Sequence, residues 1–301
     1  MFLTEPARTN YDLHFRLAGI PVRVHPLFWV FTLMMGLTGD ARPMPVLIWL
    51  VAVFVSILVH ELGHALAIRY YGWRPSITLY AFGGLASYNP ADDLGYDPDF
   101  VLGEQAWRVR SLTSELVILF AGPGAGFLLA ATIIMAVNLW GMATGGDIGV
   151  LFFYDPATLI GTFVTGLFHL EPLLYLLNDL LYINIFWGLL NLLPIFPLDG
   201  GQISQKLFYH YQGPRGLLWA AQLAIAACVA MVLFVLLRWN DEQRLFGMLM
   251  FGSLGFTNFQ IYRGLKGLGD DIDSIHFGQP PRDRDRQPWE SDDDDDRPSW
   301  R

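Results

Sequence analysis

The chain of 301 residues contains little charge and almost no cysteine. Only 16% of its residues are charged whereas 53% are hydrophobic, a balance typical of integral membrane proteins. The one cysteine, Cys228, excludes an intrachain disulfide and leaves the redox compartment open. No basic patch interleaved with aromatic residues is present, so we expect no nucleic acid partner. Residues 1–15 contain no apolar core, and we therefore expect no cleaved signal peptide.

The apolar residues are gathered into segments that predict membrane-spanning helices. A hydrocarbon core about 30 Å thick requires about 20 apolar residues in helical form, so the first segment is marginal on its own. The sequence therefore predicts an all-α polytopic membrane protein with about six transmembrane helices and short membrane-associated β-hairpins. The six predicted spans are 26–37, 46–71, 112–140, 173–193, 217–237 and 245–262.

Two stretches outside these segments predict β-hairpins. Residues 13–25 alternate apolar and polar side chains on both sides of Ala18-Gly19. Residues 77–88 carry β-forming side chains on both sides of Gly83-Gly84, which indicates a hairpin or an extended edge near the membrane surface. The acidic segment 89–104 is expected to be an exposed loop. The segment 141–172, which has no Lys or Arg, is interpreted as interfacial.

The basic residues predict the orientation of the spans. With the N-terminus in the cytoplasm, the inside segments carry 11 Lys and Arg and the outside segments carry 3, leaving out the distal tail. This asymmetry agrees with the positive-inside rule and places both termini in the cytoplasm. The predicted organisation is a cytoplasmic arm at 1–25, a six-span membrane domain at 26–268 and a disordered acidic tail at 269–301.

The second span contains a motif that predicts metal chemistry. Fourteen residues with one polar side chain run directly into His60-Glu61-Leu62-Gly63-His64. Histidines four residues apart lie on one helical face, so His60 and His64 can bind one metal ion together. Glu61 lies beside them and can act as base toward a metal-bound water. A helix that begins near Pro45 places His60 roughly 22 Å along its axis, within the hydrocarbon core.

Two alternatives to a metal site are a chance match of the motif and histidines that only hydrogen-bond between helices. Metal binding is favoured because ionisable residues inside a membrane are costly and functional by default.

Catalytic zinc usually takes three protein ligands, and no third histidine is well placed. The best carboxylate is Asp199, in a Pro- and Gly-rich break at the cytoplasmic end of the fourth span. The alternative for Asp199 is a capping role at the next helix.

HELGH in a membrane helix, followed by NLLPIFPLDGG at 191–201, resembles the site-2 protease family of intramembrane zinc metalloproteases. The resemblance covers residues 13–205, in the compact form that lacks inserted peptide-binding or nucleotide-binding regulatory domains. It implies one zinc ion per chain, bound by His60, His64 and Asp199, with Glu61 as catalytic base. It also implies that Asn191 contacts the substrate or the oxyanion.

One residue departs from the family pattern. Many members carry Asn three residues after the Gly-Pro of the third span, where this chain has Gly126. A contact that grips the substrate is therefore absent or supplied by another residue. Gly83 and Gly84 are candidate contacts for an unwound substrate strand through β-addition, with a purely structural hairpin as the alternative.

The predicted function is hydrolysis of peptide bonds in or near transmembrane segments of a membrane protein substrate. The alternatives are an inactive relative that acts as a membrane binding protein, a metal transporter and a structural zinc site. The intact motif argues against the first, and the absence of ligands on spans 1, 5 and 6 argues against the second. A structural site would need a fourth ligand. Compactness and family form indicate a prokaryotic inner membrane, while the substrate and the oligomeric state stay open.

Overall fold

The computed structural model describes residues 7–37, 42–81, 83–88, 111–145, 149–153, 161–165, 171–238 and 241–269. The predicted loop at 89–104 and the tail from residue 270 lie outside the described residues, and the predicted domain boundaries stay predictions. The α-helices are α1 (Pro26–Leu37), α2 (Pro43–Tyr70), α3 (Leu112–Thr144), α4 (Glu171–Tyr182), α5 (Gly188–Asn191), α6 (Asp199–Gln212), α7 (Gly216–Arg238) and α8 (Asp241–Gly267). A π-helical turn, Ile183–Trp187, joins α4 to α5, and a 3-10 turn, Gly213–Arg215, joins α6 to α7.

Within the described part of the chain, four helical stretches are long and apolar enough to cross a membrane, so the chain is an integral membrane protein. They are Pro43–Tyr70, Leu112–Thr144, Glu171–Asn191 and Asp199–Arg238, and they overlap the second to fifth predicted spans, two of which end one or two residues later than the helices. Helix α1 has only 12 residues, fewer than the roughly 20 that a straight crossing requires. Helix α8 has 27 residues but falls outside the apolar set. The first and sixth spans therefore stay predictions.

The two stretches expected to form hairpins do contain antiparallel strand pairs. β1 (Leu13–Leu17) pairs with β2 (Ile20–Val24), and β3 (Pro75–Tyr80) pairs with β4 (Gly83–Tyr88). The sequence does not indicate that β2 and β3 pair in parallel, which joins both hairpins into one sheet of order β1-β2-β3-β4. Helices α1 and α2 form the connection that this parallel pairing needs.

This sheet packs against α2 through one apolar face. Arg23 and Thr78, on the opposite face, are buried as well. The apolar side chains of β2 and β3 recur at every second residue and are buried, as the period of two predicts for a covered face. They share a core with the middle of α2 and with the start of the π-helical turn: Ile20, Val22, Val24, Ile77, Leu79, Val53, Ile57 and Ile183. The packing brings β4 alongside the helix that carries the histidines.

A buried ion pair fastens the chain that enters the sheet. The guanidinium of Arg23 on β2 donates to the Asp12 carboxylate at 3.0 Å. The hydroxyl of Thr9 also donates to Asp12, at 2.6 Å. The Thr9 hydrogen bond, followed by the interactions with Arg23, lowers the pKa of Asp12 to about 2. Asp12 is therefore ionised at neutral pH.

Helices α2 and α3 approach each other at small residues. A β-carbon added to Gly63 would overlap the carbonyl of Ala121 and would lie 2.8 Å from the β-carbon of Ala125. The sequence Gly122-Pro123-Gly124-Ala125-Gly126 predicts close helix contact, and this approach confirms the prediction. The histidine face of α2 is thereby pressed directly against the backbone of α3.

The segment 141–172 contains a strand pair that the sequence does not predict. β5 (Gly149–Phe153) and β6 (Gly161–Thr165) pair antiparallel in a separate two-stranded sheet. Their β-branched and aromatic residues favour strands, but neither run alternates clearly between apolar and polar. The interfacial position of this segment stays a prediction.

Candidate metal centre and catalytic site

The three residues predicted to bind metal meet at one point between α2 and α6. The Nε2 atoms of His60 and His64 lie 3.2 Å apart. The carboxylate of Asp199 lies beside both, with 3.2 Å from Oδ2 to His60 and 3.4 Å from Oδ1 to His64. All three residues are buried. Within the described residues, they form the group of His, Cys, Asp or Glu side chains whose ligand atoms are close enough to hold a metal ion.

These distances suit a tetrahedral zinc ion. Protein nitrogen and oxygen ligands lie about 2.0–2.2 Å from zinc, so two ligands of one tetrahedron are separated by about 3.3–3.6 Å. The separations observed, 3.2 to 3.4 Å, agree closely with this spacing. The buried Oδ2 of Asp199 also has no hydrogen-bond donor in the described structure. A cation would compensate this buried carboxylate, and the donor set of two imidazoles and one carboxylate is typical of catalytic zinc.

Helix α3 orients the second histidine through its backbone. The Nδ1 of His64 donates to the carbonyl of Ile118 at 2.7 Å, which fixes the tautomer and leaves the Nε2 lone pair facing the ligand cluster. Gly122 lies one turn further along α3, and a β-carbon there would overlap the His64 imidazole. The Gly122 position therefore has to be glycine for this ring to occupy its place.

A tightly packed loop holds the third ligand. Asp199 is the first residue of α6, whose N-cap position is Leu198, and no side chain caps this helix. The alternative interpretation of Asp199 as a capping residue is therefore wrong. A β-carbon on Gly200 would overlap the Leu192 carbonyl, and one on Gly201 would overlap the backbone at Ile195 and Phe196. The two glycines let the first turn of α6 lie directly on the preceding loop.

Glu61 is buried beside the ligands and is held by strand β4. The backbone N–H of Ala86 donates to its carboxylate. Gly84 on the same strand lies directly against the Glu61 side chain, since a β-carbon there would overlap it. The strand therefore fixes the orientation of the carboxylate predicted to act as base. On β3, burial and then the negative charge of Glu61 raise the pKa of the Tyr80 phenol, which is protonated at neutral pH.

The remaining predicted site residues lie on other elements than the ligands, Asn191 on α5 and Gly83 on β4. Asn191 ends α5, is buried, and its amide nitrogen donates to the carbonyl of Trp187 at 3.0 Å. It precedes the loop that leads to Asp199. Gly83, with a backbone φ of 149°, begins β4 and is followed by Gly84. The structure thus gathers His60, Glu61, His64, Asp199 and Gly84 directly.

The place opposite Gly126 is filled by an asparagine on another helix. A β-carbon on Gly126 would lie 3.2 Å from the Oδ1 of Asn184, in the π-helical turn. The Asn184 amide nitrogen donates to Ser56, one turn before His60 on α2, and to the carbonyl of Leu180, each at 2.8 Å. A buried amide is therefore present beside Gly126 although the side chain comes from a different helix.

Sequence reasoning missed the residues that act through their backbones. The carbonyl of Ile118 and the N–H of Ala86 leave no signal in the residue type, because any residue carries these groups. Gly122 does leave a signal, since it belongs to the glycine- and proline-containing stretch of α3. That stretch predicts helix packing alone, whereas the structure places its first glycine against a predicted ligand.

The chain was compared with protein-family models and with curated proteins, and one family model matches it. Residues 48–237 match the model of peptidase family M50. The chain is 26% identical over 235 residues to the zinc metalloprotease MJ0392 of Methanocaldococcus jannaschii, covering 77% of this chain and 56% of that protein. It is 28% identical over 236 residues to the putative zinc metalloprotease Rip3 of Mycobacterium tuberculosis, covering 73% and 49% of the two chains.

Stage IV sporulation protein FB of Bacillus subtilis is 24% identical over 197 residues, which cover 63% of this chain and 48% of that protein. The chain thus spans about half the length of the curated relatives it matches. No solved structure gives a significant match. The family match includes both histidines, Glu61 and Asp199, and covers well over half of the chain. The chain therefore belongs to peptidase family M50, the site-2 protease family.

Proposed function

We propose that this protein is an intramembrane zinc metalloprotease, which hydrolyses peptide bonds in or near the transmembrane segments of membrane protein substrates. The observation that carries the proposal is the convergence of His60, His64 and Asp199 beside Glu61, all buried on helices apolar enough to cross a membrane. The names of two relatives, both called zinc metalloproteases, support it.

The chemistry requires one zinc ion, which His60, His64 and Asp199 would hold. When bound, zinc acts as a Lewis acid that lowers the pKa of a coordinated water and polarises the scissile carbonyl. Glu61 takes a proton from the attacking water and delivers it to the nitrogen of the leaving amine. The N–H of Ala86 keeps the Glu61 carboxylate oriented for both transfers.

Asn191 is assigned the contact with the substrate or with its developing oxyanion. An amide nitrogen carries two N–H donors, and the bond to the Trp187 carbonyl uses one of them. Among the described residues the second N–H meets no acceptor, and it is assigned to the substrate. Donors of this kind act strongly where water is excluded, and Asn191 is buried.

The substrate is proposed to bind as an extended strand beside β4, because a peptide bond inside a helix is hidden in hydrogen bonds. β4 is an edge strand of the sheet formed by the described residues. The N–H of Ala86 points toward Glu61, and backbone groups alternate in direction along an antiparallel strand, so Gly84 shares that orientation. The edge of β4 that is unpaired within the described sheet therefore faces the proposed base, which supports strand addition at Gly83 and Gly84.

We also propose six spans with both termini in the cytoplasm of a prokaryotic cell, in the inner membrane. Helix α8 supplies the sixth span, although a larger fraction of its residues is polar than in the four long apolar stretches, and α1 supplies the first with its flanking residues. The 11 to 3 distribution of Lys and Arg supports this orientation. The metal site then lies toward the cytoplasmic end of α2.

The proposal is tested by measuring bound zinc and cleavage of a model transmembrane substrate in native protein and in Glu61→Gln. The substitution keeps all three ligands and removes the base. We expect about one zinc per chain in both proteins, with kcat reduced at least about 100-fold in the variant. Glu171→Gln, at the exposed start of α4, is the matched control and is expected to cleave normally. Cleavage that survives in Glu61→Gln, or native protein without zinc, would contradict the proposal.

The strand contact is tested separately by disulfide crosslinking in the Glu61→Gln background, after replacement of Cys228 by Ala. A cysteine at Leu85 on β4 is compared with one at Leu13 on β1, the opposite edge of the sheet. Crosslinks from a single-cysteine substrate are expected at Leu85→Cys and not at Leu13→Cys. Equal crosslinking at both edges would argue for a purely structural hairpin.

A further inference from the structure

Helix α8 contributes a buried amide to the loop that carries the third ligand. Asn258 is only 1% exposed. Its amide nitrogen donates to the carbonyl of Phe196 at 2.7 Å and to the carbonyl of Leu254 in its own helix at 2.9 Å. The bond to Phe196 crosses 62 residues of sequence, and Phe196 lies three residues before Asp199.

The backbone at Phe196 packs directly against the first turn of α6, which contains the predicted ligand Asp199. The added β-carbon at Gly201 would overlap the peptide unit between Ile195 and Phe196, so the first turn of α6 rests on that unit. Asp199 is the first residue of the same turn. A displacement of the Phe196 carbonyl must therefore move the surface against which this turn packs.

A second contact fixes the same loop to α7 and α8. Ile195 is fully buried in a cluster with Cys228 and Val235 of α7 and Phe251 of α8. The apolar cluster holds the loop in place, but dispersion contacts are not directional. Asn258 adds the directional contact at the neighbouring residue, and a polar amide buried in a membrane helix is costly unless its bonds are needed.

We infer that Asn258 is a positioning residue of the metal centre, which fixes the Phe196 carbonyl and thereby the Asp199 carboxylate. The inference rests on the proposed zinc site and extends it to α8, which lies beyond the residues 48–237 that match the family model. Asn258 touches neither the ligand atoms nor the substrate in this assignment. It acts through the loop.

The experiment compares native protein with Asn258→Leu and Asn258→Ala, each purified as the full chain in detergent and assayed on its monodisperse fraction. The matched control is Asn138→Leu, because the half-buried Asn138 donates only to Ile134 in its own helix among the described contacts. The readouts are the rate of zinc loss to excess chelator, the absorption spectrum of the cobalt-substituted protein, and kcat and KM separately.

We expect zinc loss at least about tenfold faster in both Asn258 variants, the size typical when the support of a metal ligand is removed. The cobalt spectrum should shift as the Asp199 oxygen changes position. The value of kcat should fall while KM stays within about twofold, because the substrate contacts are untouched. Asn138→Leu should match native protein in all of these readouts.

Unchanged zinc loss and an unchanged cobalt spectrum in Asn258→Leu or Asn258→Ala would overturn the inference. An equal change in Asn138→Leu would also overturn it, since general loosening of the helices would then explain the effect. Zinc loss is measured without any substrate, so the two proposals are separable. Zinc that responds to Asn258 in a protein that cleaves nothing would refute the protease and leave the positioning role standing.

Discussion

Substitution of Gly122 by alanine is the most direct test of the site geometry. The added β-carbon would overlap the His64 imidazole, whose Nδ1 is tied to Ile118 in the same helix. The ring must move by about 1 Å or more to regain ordinary contact distance of about 3.5 Å. A displacement of this size at a catalytic group typically costs about 100-fold in rate. We therefore expect Gly122→Ala to lose about 100-fold in kcat and to release zinc readily.

The same substitution should leave the protein folded. Overpacking a well-filled interior costs about 1–3 kcal/mol, while replacing a helical glycine by alanine contributes about 0.5–1 kcal/mol of stability. The net loss is at most about 2.5 kcal/mol, smaller than the typical stability of 5–15 kcal/mol for native proteins. The effect on zinc should thus be separable from unfolding.

Two neighbouring glycines of α3 provide a graded control. A β-carbon on Gly124 would have nothing within 4 Å, so Gly124→Ala should keep full zinc content and activity and melt at the same or a higher temperature. A β-carbon on Gly126 would lie 3.2 Å from the Asn184 Oδ1, a mild crowding. Gly126→Ala should therefore fall between the other two variants.

The assay is zinc content after dialysis against chelator, initial cleavage rates and thermal unfolding for the three variants side by side. The expected order of damage to zinc retention is Gly122→Ala, then Gly126→Ala, then Gly124→Ala. If Gly122→Ala retains zinc and cleaves at the native rate, then α3 does not press on His64 as described. If Gly124→Ala is as damaging as Gly122→Ala, then glycine is needed for helix geometry rather than for space beside the ligand.

Three further perturbations test separate parts of the structure. Ala86→Pro removes the N–H donated to Glu61, and we expect a lower kcat with unchanged zinc content; a proportional loss of zinc would point to disruption of β4 instead. Asp12 has a lowered pKa, so it stabilises the fold above its ordinary pKa of 3.8 and loses that effect as pH falls toward about 2; Asp12→Asn should melt earlier at pH 7, with the difference from native vanishing near pH 2. The partly exposed pair of Lys206 with Glu115 at 3.0 Å is worth at most about 1 kcal/mol, so the double charge swap should restore the melting temperature that either single reversal lowers.

The candidate metal ligands could be predicted because metal binding requires particular residue types at a fixed spacing in the sequence. His60 and His64 share a helical face by their separation alone, and burial in an apolar helix argues against a solvated role. The position of Asp199 followed from the Pro and Gly residues around it, which break a helix and permit a tight turn. The structure brings all three together as expected.

The sheet could be predicted only in its local parts. Alternation of apolar and polar residues predicts β1 and β2, because one covered face imposes a period of two, and β-forming residues on both sides of Gly83-Gly84 predict a hairpin at 77–88. The parallel pairing of β2 with β3 joins strands separated by two helices, and no local pattern records such a partner. Because β4 pairs with β3, the pairing of β2 with β3 places β4 beside Glu61. The contact between β4 and the proposed base therefore depends on a strand pairing that the sequence does not predict.

Several supports of the metal site are hydrogen bonds to backbone carbonyls at or near a break in a helix. Inside a membrane no water is available, so every carbonyl freed at a break in a helix needs a partner within the protein. Pro123 leaves the carbonyl of Leu119 without its helical donor, the neighbouring carbonyl of Ile118 accepts from His64, and the loop before Asp199 contains two prolines. Two carbonyls of this loop accept hydrogen bonds from side-chain amides. Asn258 donates to the carbonyl of Phe196 at 2.7 Å, and Gln202 donates to the carbonyl of Pro197 at 3.2 Å. The bonds from Asn258 and Gln202 therefore satisfy carbonyls of the loop and also hold that loop before Asp199, and we expect substitution of Asn258 to loosen the metal before it unfolds the chain.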